Sequence, residues 1–137
     1  MDKLGLKGSP TGELFFDEVE VSEADILGRA GRGFAIIMSA FNRERLALAA
    51  YSVGVMAAAI QHCRKYAKER KSFGKAIIKH QAVAFMLSDM ITKYEAARQV
   101  LHETAWMLDE AGDESHFVHN GERVELAART AALKLMV

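Results

Sequence analysis

FAIIMSAFNRERLALAAYSVGVMAAAIQHCRKYAKE, residues 34–69, decides the fold. Between Phe34 and Glu69 only Gly54 disfavours a helix, so the stretch predicts one continuous helix. At about 1.5 Å per residue it would run roughly 50 Å. A helix apolar on nearly every side is normally buried. This one nevertheless carries Asn42, Arg43, Glu44 and Arg45 in a row. On a helix, Glu44 shares its face with Ile37, Ala40, Phe41, Ala47, Leu48 and Tyr51, and a carboxylate buried there would be desolvated. Desolvation disfavours the charged form, which suits a general base that must hold a proton. Spacing alone also admits a structural alternative, Glu44 paired with an arginine on a neighbouring helix.

Working outward, RKSFGK (70–75) closes this helix with basic residues and Gly74, as helix C-termini prefer. Arg70 and Ser72 there offer a guanidinium fork, a hydroxyl and turn N–H groups, a set able to hold a phosphate. A solvated helix end explains the same residues. A second helix is predicted from Ile78 or Lys79 to Glu110, with Ala82, Met86, Met90, Tyr94, Ala97 and Leu101 recurring at three- and four-residue spacing. AGDES stops it, and a third helix is expected from Asn120 or Gly121 to the end. Two long helices joined by a short turn pack antiparallel. The fold class expected is therefore all-α, an antiparallel up-and-down bundle of about three helices. Before it, residues 1–27 hold Gly5, Gly8, Pro10 and Gly12, then ELFFDEVEV. Phe15, Val19 and Val21 fall on one parity and Glu18 and Glu20 on the other, so Glu13 to Val21 reads as one strand without a partner.

Composition sets limits. The hydrophobic share is 50%, enough for a core, and 18 acidic residues balance 18 basic ones, which argues against a nucleic-acid surface. Arg43, Glu44 and Arg45 interrupt the best candidate for a membrane span, so no membrane contact is expected. One cysteine, Cys63, precludes an internal disulfide and fits a reducing compartment. No P-loop, GxSxG or GxGxxG is present, and HETAW (102–106) is not HExxH. The nearest approach to a metal-ligand pair is Asp113 with His116, in a turn, so no metal site is expected.

Three stretches in order, DKLGLKGSPTGELFFDEVEV, ILGRAGRGFAIIMSAFNRERLALAA and ERKSFGKAIIKHQAVAFMLSDM, closely resemble successive segments of the acyl-CoA dehydrogenases. The resemblance runs over nearly the whole chain. It implies the last piece of a middle β-domain (1–27), then most of a C-terminal four-helix bundle (28–137) cut short at its end. It implies FAD as cofactor and oxidation of acyl-CoA to trans-2-enoyl-CoA by α-proton abstraction and β-hydride transfer. It further implies an electron-transferring flavoprotein as partner and a homo-oligomer, dimer or tetramer. Glu44 matches the catalytic glutamate of isovaleryl- and long-chain-type members. Asn42 and Arg45 match contacts to the CoA part of the substrate. Arg70, Ser72, His80 and Gln81 match contacts to the FAD of a neighbouring subunit. The chain alone lacks most of the flavin site and is expected to be inactive by itself. Localisation would be cytoplasmic in a bacterium and the mitochondrial matrix in a eukaryote. Two other readings stand beside this one: a non-catalytic helical assembly module, and an acyl-CoA oxidase-like relative that uses oxygen.

Overall fold

The computed structural model describes residues 1–112 and 114–137. Asp113 lies outside them, so its spacing to His116 is not placed. Among the described residues no group of His, Cys, Asp and Glu is arranged to hold a metal ion. The chain divides into two compact units, Met1–Gly33 and Phe34–Val137.

The second unit is a three-helix arrangement with two hairpins. Helix α1 spans Gly33–Glu69, α2 spans Gln81–Ala111 and α3 spans Leu126–Met136. Strands β1 (Lys71–Ser72) and β2 (Lys75–Ala76) form the α1–α2 connection, followed by a 3-10 turn at Ile77–Lys79. Strands β3 (His116–His119) and β4 (Glu122–Glu125) form the second hairpin, which leads into α3. Shared recesses show α1 and α2 running antiparallel. Arg43 and Leu46 face Leu108 and Asp109 at one end, while Tyr66 and Ala67 face Met86 and Met90 at the other. This is the expected bundle.

The core is concentrated where α2, α3 and the second hairpin meet. Met107, Leu126 and Leu133 are buried almost completely, and burying such a side chain is worth about 1.5–3 kcal/mol. Thr104 and Thr130 are buried with them. Each satisfies its hydroxyl within its own helix, on the carbonyls of Val100 (2.7 Å) and Ala127 (3.1 Å). Arg129 of α3 donates to Thr104 Oγ1 at 3.2 Å and also pairs with Glu103. Glu103 in turn meets His119 Nε2 at 3.5 Å, so one carboxylate of α2 links α3 and the hairpin. Trp106 packs edge-on against Phe117 (5.2 Å) and His119 (5.6 Å).

Three expectations need correction. The third helix begins at Leu126, not near Gly121, because Asn120 (φ 51°) and Gly121 (φ 81°) make the two-residue turn of a hairpin. Two consecutive positive φ angles are what a type I′ turn requires, and Asn-Gly supplies them at low cost. The second helix begins at Gln81 because Ile77–Lys79 winds as a 3-10 turn instead. The strand expected over Glu13 to Val21 does not form: the segment has no ladder partner among the described residues, and a lone strand leaves its backbone groups unpaired.

The first unit is held by local bonds. A 3-10 turn spans Glu23–Asp25, where the Asp25 carboxylate accepts from the Ser22 N–H (2.7 Å) and hydroxyl (2.8 Å). These bonds, the backbone one first, hold the Asp25 carboxyl below its usual range.

Arg43, Glu44 and Arg45 do not break the apolar run of α1 as expected. Leu46 to Cys63 carries no charged side chain, so the interruption at Arg43–Arg45 lies at one end of the apolar run. By length and composition α1 is long and apolar enough to cross a membrane, a test that core helices of soluble proteins also pass.

Candidate functional site

The sequence-selected residues fall into two groups at opposite ends of α1. At the first, Asn42, Glu44 and Arg45 occupy the N-terminal third of the helix. Arg45 Nη1 donates to Asn42 Oδ1 at 3.1 Å, a bond between positions i and i+3 that faces both side chains the same way. Both are half-buried. Glu44 is exposed, which overturns the expectation that this chain buries it. The reason lies in helix geometry. At about 100° per residue, Ala49 and Val53, the buried positions nearby, point away from Glu44. The face Glu44 shares with Ile37, Phe41, Leu48 and Tyr51 is exposed along its length.

Glu44 is not on a bare surface, however. With Phe41, Arg45 and Leu48 it lines a recess of about 260 Å³ whose far side is Lys134 of α3. The recess thus holds one carboxylate, two cations and two apolar side chains. Lys134 was not singled out by sequence reasoning. It lies 90 positions from Glu44 in the chain, and only the packing of α3 brings it near.

The second group sits on the α1–α2 connection, and its backbone is tightly specified. Arg70 N–H donates to the Tyr66 carbonyl (2.8 Å) and the Arg70 carbonyl accepts from Ile77 N–H (2.8 Å). The hairpin then turns at Phe73 (φ 50°) and Gly74 (φ 76°), pairing Ser72 with Lys75. His80 precedes α2 and reaches back: its Nε2 lies 3.2 Å from the Ser72 carbonyl. A carbonyl can only accept, so Nε2 carries the proton and, in the neutral ring, Nδ1 is left as an acceptor. Phe73 packs edge-on against the same ring, centroids 6.2 Å apart. The structure therefore gathers Ser72 and His80 directly, with Arg70 leading into the hairpin. Gln81 is exposed as the first residue of α2, beside the unpaired N–H groups of that helix end. An exposed guanidinium, a turn and a helix N-terminus are together suited to an anionic group. The residues present fit the pyrophosphate part of a dinucleotide, and not its ring system, for which they supply no pocket.

A family model for the C-terminal domain of acyl-CoA dehydrogenases matches residues 31–137. The chain is 47% identical over 103 residues to an acyl-CoA dehydrogenase of Bacillus subtilis, covering 75% of this chain and 27% of that protein. It is 41% identical over 107 residues to a subunit of the caffeyl-CoA reductase–Etf complex of Acetobacterium woodii, covering 78% of this chain and 28% of the relative. The solved structure of butyryl-CoA dehydrogenase from Megasphaera elsdenii superposes with a TM-score of 0.76 at 30% identity, over 88% of this chain and 28% of that one. This chain belongs to the acyl-CoA dehydrogenase family. It spans less than a third of the length of these relatives.

Proposed function

We propose that this chain forms part of a flavin-dependent dehydrogenase that oxidises an acyl-CoA thioester to its trans-2-enoyl-CoA, and that Glu44 is the base. The observation that carries the reading is the family match over residues 31–137, in which Glu44 shares a recess with Arg45, and Arg45 in turn donates to Asn42. In this reading the Glu44 carboxylate takes the proton from the carbon next to the thioester carbonyl. Arg45, held by Asn42, binds the CoA portion of the substrate. The exposure of Glu44 means that its desolvation comes from the bound substrate and from walls outside this chain, and dehydration at that moment strengthens the carboxylate as a base.

Arg70, Ser72, His80 and Gln81 hold the pyrophosphate of FAD, that of a neighbouring subunit in a homo-oligomer. When bound, FAD supplies the acceptor for the hydride that leaves the β-carbon. His80 fixes the hairpin through the Ser72 carbonyl, so the Arg70 side chain is presented from a backbone clamped on both sides. Similarity to a subunit of an Etf complex supports an electron-transferring flavoprotein, rather than oxygen, as the final acceptor.

The test is Glu44→Gln in the complete dehydrogenase. Loss of turnover by about two to four orders of magnitude with flavin still bound is expected, since a positioned base typically contributes about 10²–10⁴-fold. Near-normal turnover rejects Glu44. A complete protein that purifies without flavin absorbance rejects the dehydrogenase reading itself.

A further inference from the structure

Where α2, α3 and the β3–β4 hairpin meet, one carboxylate serves three elements. Glu103 of α2 pairs through Oε2 with Arg129 of α3, and through Oε1 it faces His119 Nε2 at 3.5 Å. Glu103 and His119 are both half-buried, so solvent screens the pair only in part. At 3.5 Å the contact is too long for a good hydrogen bond, and the charge on the ring decides what it is worth. A neutral imidazole brings little across that gap, whereas an imidazolium brings a full positive charge to a carboxylate. The ring itself is seated by packing, edge-on against Trp106 (5.6 Å) and stacked with Phe117 (6.4 Å). Around it, Glu122 is its partner across the Asn120-Gly121 turn, and Arg123 is engaged by Glu125 at 2.8 Å. His116 stands on the other face of β3 by strand alternation, and His102, beside Glu103, is exposed. Arg129 shares the Glu103 carboxylate and opposes a second positive charge there, so two carboxylates stand against one cation.

We propose that His119 and Glu103 form a proton-dependent clasp: a proton on the ring fastens the β3–β4 hairpin to α2, and its loss loosens the hairpin. The contact contributes while the ring is charged, so its contribution grows as pH falls through the histidine range and fades above it. β4 ends at Glu125 and α3 begins at Leu126, so the clasp also bears on how firmly α3 is held. With α3 goes Lys134, the far wall of the recess at Glu44. The clasp does not depend on flavin or on the role of Glu44, and its test is separate from the test of catalysis.

Urea unfolding of the 137-residue chain, of Glu103→Gln, of His119→Asn and of the double substitution isolates the coupling between the two side chains. At about pH 5.5 the coupling should amount to about two- to fivefold in the unfolding equilibrium constant, the range of a partly exposed ion pair, and at about pH 8 it should vanish. Trp106, the single tryptophan, gives a second readout. Its emission should fall as an imidazolium forms beside the indole, and His119→Asn should abolish that fall while His102 and His116 stay in place. A coupling of equal size at both pH values, or none at either, overturns the proposal. So does a Trp106 emission that is flat between those pH values in the unaltered chain, or a fall that survives His119→Asn. The emission of the unaltered chain decides the matter even where a variant fails to fold, because a clasp that never charges leaves it flat.

Discussion

Two sides of the same bundle behave differently. Where α2, α3 and the β3–β4 hairpin meet, Met107 and Leu133 are 2% and 1% exposed, and the polar groups between them are paired. Along the N-terminal half of α1, Phe34 is 76% exposed and Tyr51 63% exposed, although the residues are just as apolar. Composition does not separate the two regions; cover does. The first side has three elements converging on it, and the second is a face of α1 turned away from them. Of the residues proposed for chemistry, Glu44 stands on the uncovered side, while Asn42 and Arg45 are half-buried, with Arg45 reaching the recess that Glu44 lines. A helix face that is apolar, uncovered and bordered by an oriented arginine is the kind of surface that another molecule completes.

The sharpest test of the comparison is a pair of truncations of similar size. Leu133→Ala removes a fully buried side chain from the packed side and should cost about 2–5 kcal/mol in urea unfolding. Phe34→Ser removes a larger side chain from the open side and should stay within about 0.5 kcal/mol, as surface substitutions do. Trp106 is the single tryptophan and packs on Phe117 and His119, so its fluorescence reports the packed side. Comparable losses from the two variants would mean that the open face is covered in solution.

How much of this was legible beforehand follows the range of the interactions. The limits of α1 were readable because local signals set them: an unbroken helical run, then basic residues and a glycine. The antiparallel pairing of α1 and α2 followed from the shortness of their connection. The β3–β4 hairpin was missed although Asn120-Gly121 is its signal. The flanking HFVH and ERVE lack a clean apolar alternation, and the helix-compatible residues after them drew the boundary too early. In the site, the i,i+3 spacing of Asn42 and Arg45 was readable, and their bond follows from it. The exposure of Glu44 was not readable. A sequence shows which face of a helix is apolar, but whether anything covers that face depends on elements far along the chain or outside it. Lys134 was invisible for the same reason.

A smaller effect probes the turn that the sequence reading passed over. Gly121 sits at φ 81°, a conformation that costs an L-residue about 1–2 kcal/mol. A side-chain carbon added there meets no atom within 4 Å, so backbone strain is the only penalty. Gly121→Ala should therefore destabilise the packed side by about 1 kcal/mol. The loss should appear in Trp106 emission, because the hairpin carries Phe117 and His119 onto that ring. An unchanged midpoint would show that the hairpin is not part of the cooperative unit.

The smallest expected effect is the one that bears most on function. Glu44 is exposed, forms no ion pair among the described residues, and accepts no hydrogen bond there. The structural alternative, a glutamate buried against an arginine of a neighbouring helix, predicts a loss of about 3–5 kcal/mol when one partner is removed. The geometry predicts otherwise: Glu44→Gln in this chain should leave the urea midpoint within about 0.5 kcal/mol of the original. A residue that the fold does not need, set in a recess with Phe41, Leu48 and two cations, is free to be kept for chemistry. A clear destabilisation by Glu44→Gln would move the carboxylate back into the architecture of the bundle and remove the physical basis for assigning it a proton.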